Sequence, residues 1–471
     1  MTLAANAVAI GWRPELAGDL LAQTGTVGFV EVVAENCLAD SRIAREVQAV
    51  AQALPVALHG VKLSLGSAEG IDDGRAIRLG RLARQLDAPF VSEHVAFVRA
   101  GGHEIGHLTA LPRTRAAVAT VARNVARARR HLPDIPLLLE NVVWTVPWSG
   151  DQMREEDFYF EVAEATGCAL LLDVANLYAN AINEGEEPSQ RLARFPLDRV
   201  AMLHVAGGLR EDGFYVDTHA HPIPSAVFAL VEQVTRAVGP RPAVIERDDN
   251  FPPFDELCAE LATLARCLAT PREGPQVPVR CASTRPGSGW LEGSQTDLAI
   301  DQERLAALLT AVPPPGGGDV SVRHVDRTRR LLVRKRVDAA LPLLPRLRRA
   351  DHNIVHLAID ALRSRPRAGR LASVDDALTV AHAAAAEPAF AAEAQLDLLN
   401  LRARFRPLGG GRGWAPRWTP FFGRARLPGG DCAWAFKGAG FGRPVRLWLP
   451  PHALHRLATQ NTAAPLERMT R

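Results

Sequence analysis

In LLLDVAN, residues 170–176, three leucines run straight into Asp173, and Asn176 follows three residues later. An acid at the mouth of an apolar run is unremarkable alone, since a lone strand-end carboxylate or imidazole is usually a hydrogen-bonded structural residue. Here the arrangement recurs. VGFVEVVAEN (27–36) carries Glu31, Glu35 and Asn36. PVALHGV (55–61) places His59, and PFVSEHVAF (89–97) places Glu93 and His94. IPLLLENV (135–142) leads to Glu140 and Asn141, and VAMLHVAGG (200–208) to His204. GFYVDTHAH (213–221) holds Asp217, His219 and His221, and AVIERDD (243–249) holds Glu246 and Asp248. Carboxylates and imidazoles gathered in one cavity repel one another or lose hydration at high cost unless something neutralises them. Divalent cations would do so. Mixed His/Asp/Glu donors suit iron, manganese or zinc, and no cysteine set points to a structural zinc. Four imidazoles with three or more carboxylates exceed the needs of one ion, so a polynuclear site is expected, with a carboxylate such as Glu140 or Asp173 bridging. If DTHAH is extended, positions i and i+2 point the same way, and Asp217 and His219 face one ion together.

Such residues need a frame that brings strand ends to one place. The apolar runs just quoted read as strands. Segments with helical spacing fall between them, near 39–53, 73–87, 114–131, 155–166, 224–238 and 254–269. Near-continuous hydrophobic strands alternating with helices imply a parallel sheet covered on both faces. Seven clear strands and a weak eighth at 213–221, in roughly 250 residues, match a (β/α)8 TIM-type barrel, whose strand ends converge on the active-site face. A doubly wound open sheet would normally bring a glycine-rich phosphate turn after an early strand, and neither GxGxxG nor GxxxxGK[ST] is present.

The whole chain has 471 residues, 47% apolar and 23% charged, with a net charge of +3. That near-neutral balance implies no strong field for nucleic acid or a membrane surface. Asp and Glu are frequent up to about residue 270, whereas later runs such as RTRRLLVRKR (327–336) are rich in Arg. The six cysteines are scattered without a CxxC pair, which fits a reducing compartment. The N-terminus lacks a basic segment followed by a sustained apolar stretch, and no long apolar window occurs, so a soluble cytoplasmic protein is expected. The barrel is assigned to 1–270 and a Pro/Gly/Ser-rich linker to 271–295. A smaller C-terminal domain follows at 296–471, mostly helical to about 405 and β-rich beyond 408. A further breaker, VPPPGGGD, lies at 312–319.

With the motifs in order, LHGVKLSLGS, VSEHVAF, LLLENV, LLLDVANLYANAINEG, LHVAGG, DTHAHPIP and IERDDNFPP resemble the multinuclear non-haem iron oxidative enzymes over about residues 8–270. The resemblance implies a TIM-type barrel holding two or three iron ions (Fe2+/Fe3+), with dioxygen as co-substrate. It implies modification of cysteine in a ribosomally made precursor peptide. It also implies a leader-binding partner protein, unless residues 296–471 supply that function. On the matching positions, the implied metal ligands are His59, His94, Glu140, Asp173, His204, Asp217, His219 and Glu246, with Asn176 facing the metals. Glu31, Glu35 and Asn36, with Asn141, are implied as contacts around the metals or the substrate. GHLTALPRT (106–114) departs from the family's usual stretch. Two other classes compete: a TIM-barrel sugar isomerase or phosphoesterase using zinc or manganese, and a metal-storage or metal-sensing protein. The acidic barrel disfavours a nuclease that must grip phosphates.

Overall fold

Eight parallel strands close into a barrel: β1 (Val8–Gly11), β2 (Phe29–Val33), β3 (Val56–Gly60), β4 (Val91–His94), β7 (Leu137–Glu140), β8 (Ala169–Asp173), β9 (Val200–Val205) and β12 (Ala243–Ile245). Going round, β1 pairs with β12, then come β9, β8, β7, β4, β3 and β2, which returns to β1. Two antiparallel hairpins extend the loops: β5 (Ala96–Ala100) with β6 (His103–Ala110), and β10 (Leu209–Glu211) with β11 (Phe214–Val216). The computed structural model describes residues 3–37, 42–211, 213–272, 277–280, 295–310, 321–350, 353–365, 371–409, 413–428, 430–439 and 445–449. Cys281 and the 312–319 breaker lie outside them. The chain divides into two compact units, one of 1–306 with 317–325 and one of 307–316 with 326–471.

The barrel agrees with the expected fold, but one of its strands lies elsewhere than the sequence reading placed it. VAIG at 8–11 forms β1 and fills the eighth position, pairing Ala9 with Val244 and with Phe29. It is only four residues long, too short to stand out as an apolar run. The 213–221 segment is instead the short β11 and a loop, outside the barrel.

The barrel interior explains how site residues are presented. One hydrophobic cluster joins Ala9, Phe29, Ala57, Phe90, Leu138, Ala169, Leu171, Met202 and Val244, drawn from every barrel strand or the residue before it. Side chains alternate along a strand, so the residue two positions on from each of these also points inward, one layer nearer the C-terminal mouth. Apart from Gly11 and Leu171, those residues are Glu31, His59, Ser92, Glu140, Asp173, His204 and Glu246; one further step from Ser92 is His94. Apolar layers fill the barrel, and the last layer is ionisable.

The helices between strands are α1 (Ala17–Ala22), α2 (Arg42–Val50), α3 (Asp73–Gln85), α4 (Arg115–Arg129), α5 (Glu155–Thr166), α6 (Val174–Glu184), α7 (Pro188–Arg194), α8 (Ser225–Val238) and α9 (Phe254–Leu268). Their ends follow local chemistry. Asp72 and Thr114 accept first-turn N–H groups of α3 and α4. Gly167 and Gly185, at φ 66° and 74°, stop α5 and α6 in the left-handed conformation that glycine adopts without a Cβ penalty. A tenth helix, α10 (Gln295–Thr310), places buried Gln302 against the loop after β3: its Nε2 donates to Gly66 O (2.7 Å) and its Oε1 accepts from Ala68 N (2.8 Å).

The second unit is helical and then β-rich. Val337, Leu344, Ala358, Leu362, Val380 and Leu398 belong to its core. Beside it Arg336 donates to both oxygens of Asp376, at 3.2 and 2.6 Å. A three-stranded antiparallel sheet of Phe421–Arg426, Cys432–Lys437 and Val445–Leu449 packs Ala425, Ala433 and Ala435 on Leu396 and Leu399. No helix among the described residues is long and apolar enough to cross a membrane.

Candidate metal centre

At the barrel mouth the ionisable layer forms three contiguous groups, each with ligand atoms within 4.8 Å of one another: His59, His94 and Glu140; Glu140, Asp173, His204 and Glu246; Asp173, Asp217 and His219. Glu140 belongs to the first two and Asp173 to the last two. Glu140 Oε2 stands 3.5 Å from His59 Nε2 and 3.3 Å from His94 Nε2, while Oε1 accepts from His204 Nδ1 at 3.2 Å. His204 lies 3.3 Å from Glu246, which is 3.3 Å from His219, and His204 Nε2 is 2.9 Å from Glu31 Oε1. Glu31, His59, His94, Glu140, Asp173, His204 and Glu246 are all buried.

The outer ends of these side chains are fixed. His59 Nδ1 meets Ser92 Oγ at 2.9 Å, and His94 Nδ1 meets the Gly60 carbonyl at 3.3 Å. Asp173 Oδ1 caps α6, accepting from Ala175 N (2.7 Å) and Asn176 N (2.9 Å). The other oxygen, Oδ2, is buried without a hydrogen-bond partner, as are Glu31 Oε2, Glu140 Oε2 and Asp217 Oδ1. Leaving a buried polar atom unsatisfied costs about 1–3 kcal/mol, so four carboxylate oxygens together at one centre call for a partner. Carboxylate oxygens and imidazole nitrogens are ligand atoms for hard or borderline divalent cations. The donor set fits them.

The electrostatics agree. Burial opposes an imidazolium at His94, but Glu140 and Glu93 outweigh it and push the group up to about 9. His204 is likewise pushed well above its ordinary value, against burial, by Glu246, Glu31 and Glu140. Burial and the neighbouring Asp217 push Asp173 well up. Burial resists ionisation of Glu246, yet His204 and His219 hold it well below the usual carboxylate range. By itself the protein balances these charges only by binding protons, at the atoms that cations would otherwise take.

Residues 7–269, more than half of the chain, match the family model described as RiPP precursor modification enzyme MbnB/TglH/ChrH. The chain belongs to this family. A Streptomyces avermitilis UPF0276 protein is 40% identical over 274 residues, 57% of this chain and 56% of that protein. A Caulobacter vibrioides UPF0276 protein is 41% identical over 249 residues, 53% of this chain and 89% of that one. Among solved structures, an L-ribulose 3-epimerase aligns with 56% of this chain and 95% of its own, at 15% identity and a TM-score of 0.35. The fold therefore rests on the strand pairing itself.

Within the MbnB/TglH/ChrH region, the residues expected from sequence fall into three sets. The eight expected ligands all enter the three groups. Asp217 and His219 do meet, at 2.6 Å, but through a turn: His219 has φ 52°, so DTHAH is not extended there. Asn141 and Asn176 stand behind the centre. Asn141 Oδ1 accepts from Asp173 N (2.8 Å), its Nδ2 donates to Asp173 O (2.9 Å), and Asn176 Nδ2 donates to Asn141 O (3.0 Å). Glu35 is further out on the turn after β2, accepting from Val61 N at 3.2 Å, and burial together with Glu93 pushes it up to about 7. Asn36 is exposed on that turn.

Other residues matter that the ligand reading left aside. Glu93 accepts from Leu63 N and His94 N, both at 2.9 Å, and a Cβ on Gly60 would come within 2.7 Å of it. Ser92 orients His59. Asp248, 3.4 Å from His219 Nδ1, is paired in turn with Arg13. The alternation in SEH marked Ser92 as inward; nothing local marked Arg13.

Proposed function

We propose that the barrel is an iron- and dioxygen-dependent enzyme that oxidatively modifies cysteine residues of a ribosomally made precursor peptide. The observation that carries this reading is the sharing of Glu140 and Asp173 between adjacent groups, which suits two or three ions held side by side. Membership of a peptide-modifying family supplies the substrate class. His59, His94, Glu140, Asp173, His204, Asp217, His219 and Glu246 would be the ligands. Iron, when bound, supplies the oxidative step with dioxygen and a seat for the substrate thiolate. The chain's own residues position and dehydrate. Ser92 and the Gly60 carbonyl fix the rings of His59 and His94. Asn141 and the α6 N-terminus fix Asp173. The apolar layers below close the barrel to water.

In the second unit, Phe422, Phe436 and Trp418 are exposed, and the Arg424 guanidinium lies 5.8 Å above the Trp434 ring. This unit is proposed to hold the peptide's leader segment. A chain ending at residue 310 should then lose peptide binding; undiminished binding would assign the unit another role.

The first test is elemental analysis with Mössbauer spectroscopy on protein purified without oxygen. Two or three coupled irons per chain, reactive with air, are expected. Zinc or manganese alone, with no oxygen uptake, would remove the oxidative reading.

A further inference from the structure

Beside the metal centre lies a cavity of about 180 Å3 that the ligand set does not use. Its walls include Val95, Val142, Val146, Trp148, Phe158 and Tyr159. Two of these continue the strand ends that carry the centre: Val95 follows His94, and Val142 stands two residues beyond Glu140. Consecutive Cα atoms are 3.8 Å apart, so Val142 begins the wall within about 7.6 Å of the Glu140 backbone. The cavity is also reachable, since Trp144, Trp148, Arg113 and Asp151 on its lining are half-buried.

The ionic groups on the lining are already engaged. Arg113 donates through Nε (2.8 Å) and Nη2 (2.6 Å) to Asp151. Buried Glu155 accepts from Asn180 Nδ2 (2.9 Å) and Arg191 Nη1 (3.0 Å). Tyr159 accepts from Val142 N, and the Trp148 indole donates to Ala110 O at 2.9 Å. The exception is Trp144: its indole N–H is buried with no acceptor among the described residues. A charged occupant would lose hydration without gaining a partner. An apolar one would lose nothing. An apolar cavity of about 150 Å3 is large enough for benzene.

We infer that this cavity receives an apolar side chain, leucine- to phenylalanine-sized, of the peptide whose reacting residue sits at the metal centre. The inference rests on the proposed function. An extended chain advances about 3.3 Å per residue, which puts the near wall about two positions from a residue reacting beside Glu140. The pocket would thereby set the register of the substrate and select its flanking sequence.

The test uses full-length protein and four probes: N-acetyl-phenylalaninamide, N-acetyl-leucinamide, N-acetyl-lysinamide and N-acetyl-aspartamide. Binding is followed by NMR titration, and metal content is measured on the same samples. The two apolar probes should bind about tenfold or more tighter than the two polar ones, and Val146→Phe, which fills the cavity, should weaken them by a similar factor. Metal content should stay unchanged. If Val146→Phe lowers the melting temperature, Trp148→Ala, which removes a wall, must give the same loss. Equal binding of all four probes, no binding of any, or apolar binding that survives both substitutions would overturn the inference. A wrong metal reading would show separately, as absent iron with apolar binding intact.

Discussion

Asp173 divides its two oxygens between fold and chemistry. Oδ1 caps α6 with two N–H acceptances, and Oδ2 turns to the centre with no hydrogen bond, 3.9 Å from His219 Nε2. The two roles can be separated. Asp173→Asn keeps an oxygen for the cap but lacks the charge that cations need. It should melt within a few degrees of wild type yet lose more than one metal equivalent by elemental analysis. Asp173→Ala should lose the same metal and also about 1 kcal/mol for the cap. Equal metal content in Asp173→Asn and wild type would count against a bridging role. Protons compete for the same atoms, which fixes a pH dependence. His94 is raised from an ordinary 6.5 to about 9. In the protein without bound cations, its stabilising contribution is complete below pH 6.5 and disappears as pH rises through about 9. Metal needs the neutral imidazole, so its stabilisation runs the other way. The rise in melting temperature on adding ferrous iron without oxygen should be small at pH 6 and larger at pH 8. An increment independent of pH would place the metal elsewhere.

At the scale of elements, the barrel was legible because buried parallel strands are continuous apolar runs, and His59, Glu140, Asp173, His204 and Glu246 because each follows a core residue by two positions. Met202 to His204 and Val244 to Glu246 show the phase plainly. Two elements escaped. A four-residue strand such as VAIG carries too little signal against its surroundings. The His219 turn needs φ 52°, which no alternation pattern encodes. The loop that carries Asp217 and His219 depends on a close backbone approach instead: a Cβ on Gly207 would overlap the carbonyl oxygens of His221 and Pro222. Forced overlaps in packed regions cost about 1–3 kcal/mol. Gly207→Ala should therefore lower the melting temperature by several degrees and shed the ion held by Asp217 and His219, while the groups around Glu140 keep theirs. Metal counting on the purified variant checks this.

The whole molecule extends its catalytic unit past the stretch that the family defines. The family match ends at residue 269, yet Gln302 is buried against the loop after β3 and bonds Gly66 and Ala68. That loop begins one residue beyond the His59–Gly60 strand end. It is also pinned by Asn124, which donates to Leu65 O (2.8 Å) and Ser67 O (2.9 Å), by Glu35 at Val61 and by Glu93 at Leu63. The 271–295 linker, assigned from composition, therefore leads to a helix whose first turns belong with the barrel, a long-range contact that local sequence does not announce. Removing Gln302 leaves one donor and one acceptor of the loop without their partner, at about 1–3 kcal/mol. A chain ending at 310 should hold its metals like the full protein. A chain ending at 270, just past the family match, should melt several degrees lower and release metal faster to a chelator, first from the His59 and His94 group. Gln302→Ala in the full-length chain should reproduce part of that loss. If the 270 and 310 chains proved equally stable and equally slow to release metal, the helix would be an appendage, and the loop would owe its position to Asn124, Glu35 and Glu93 alone.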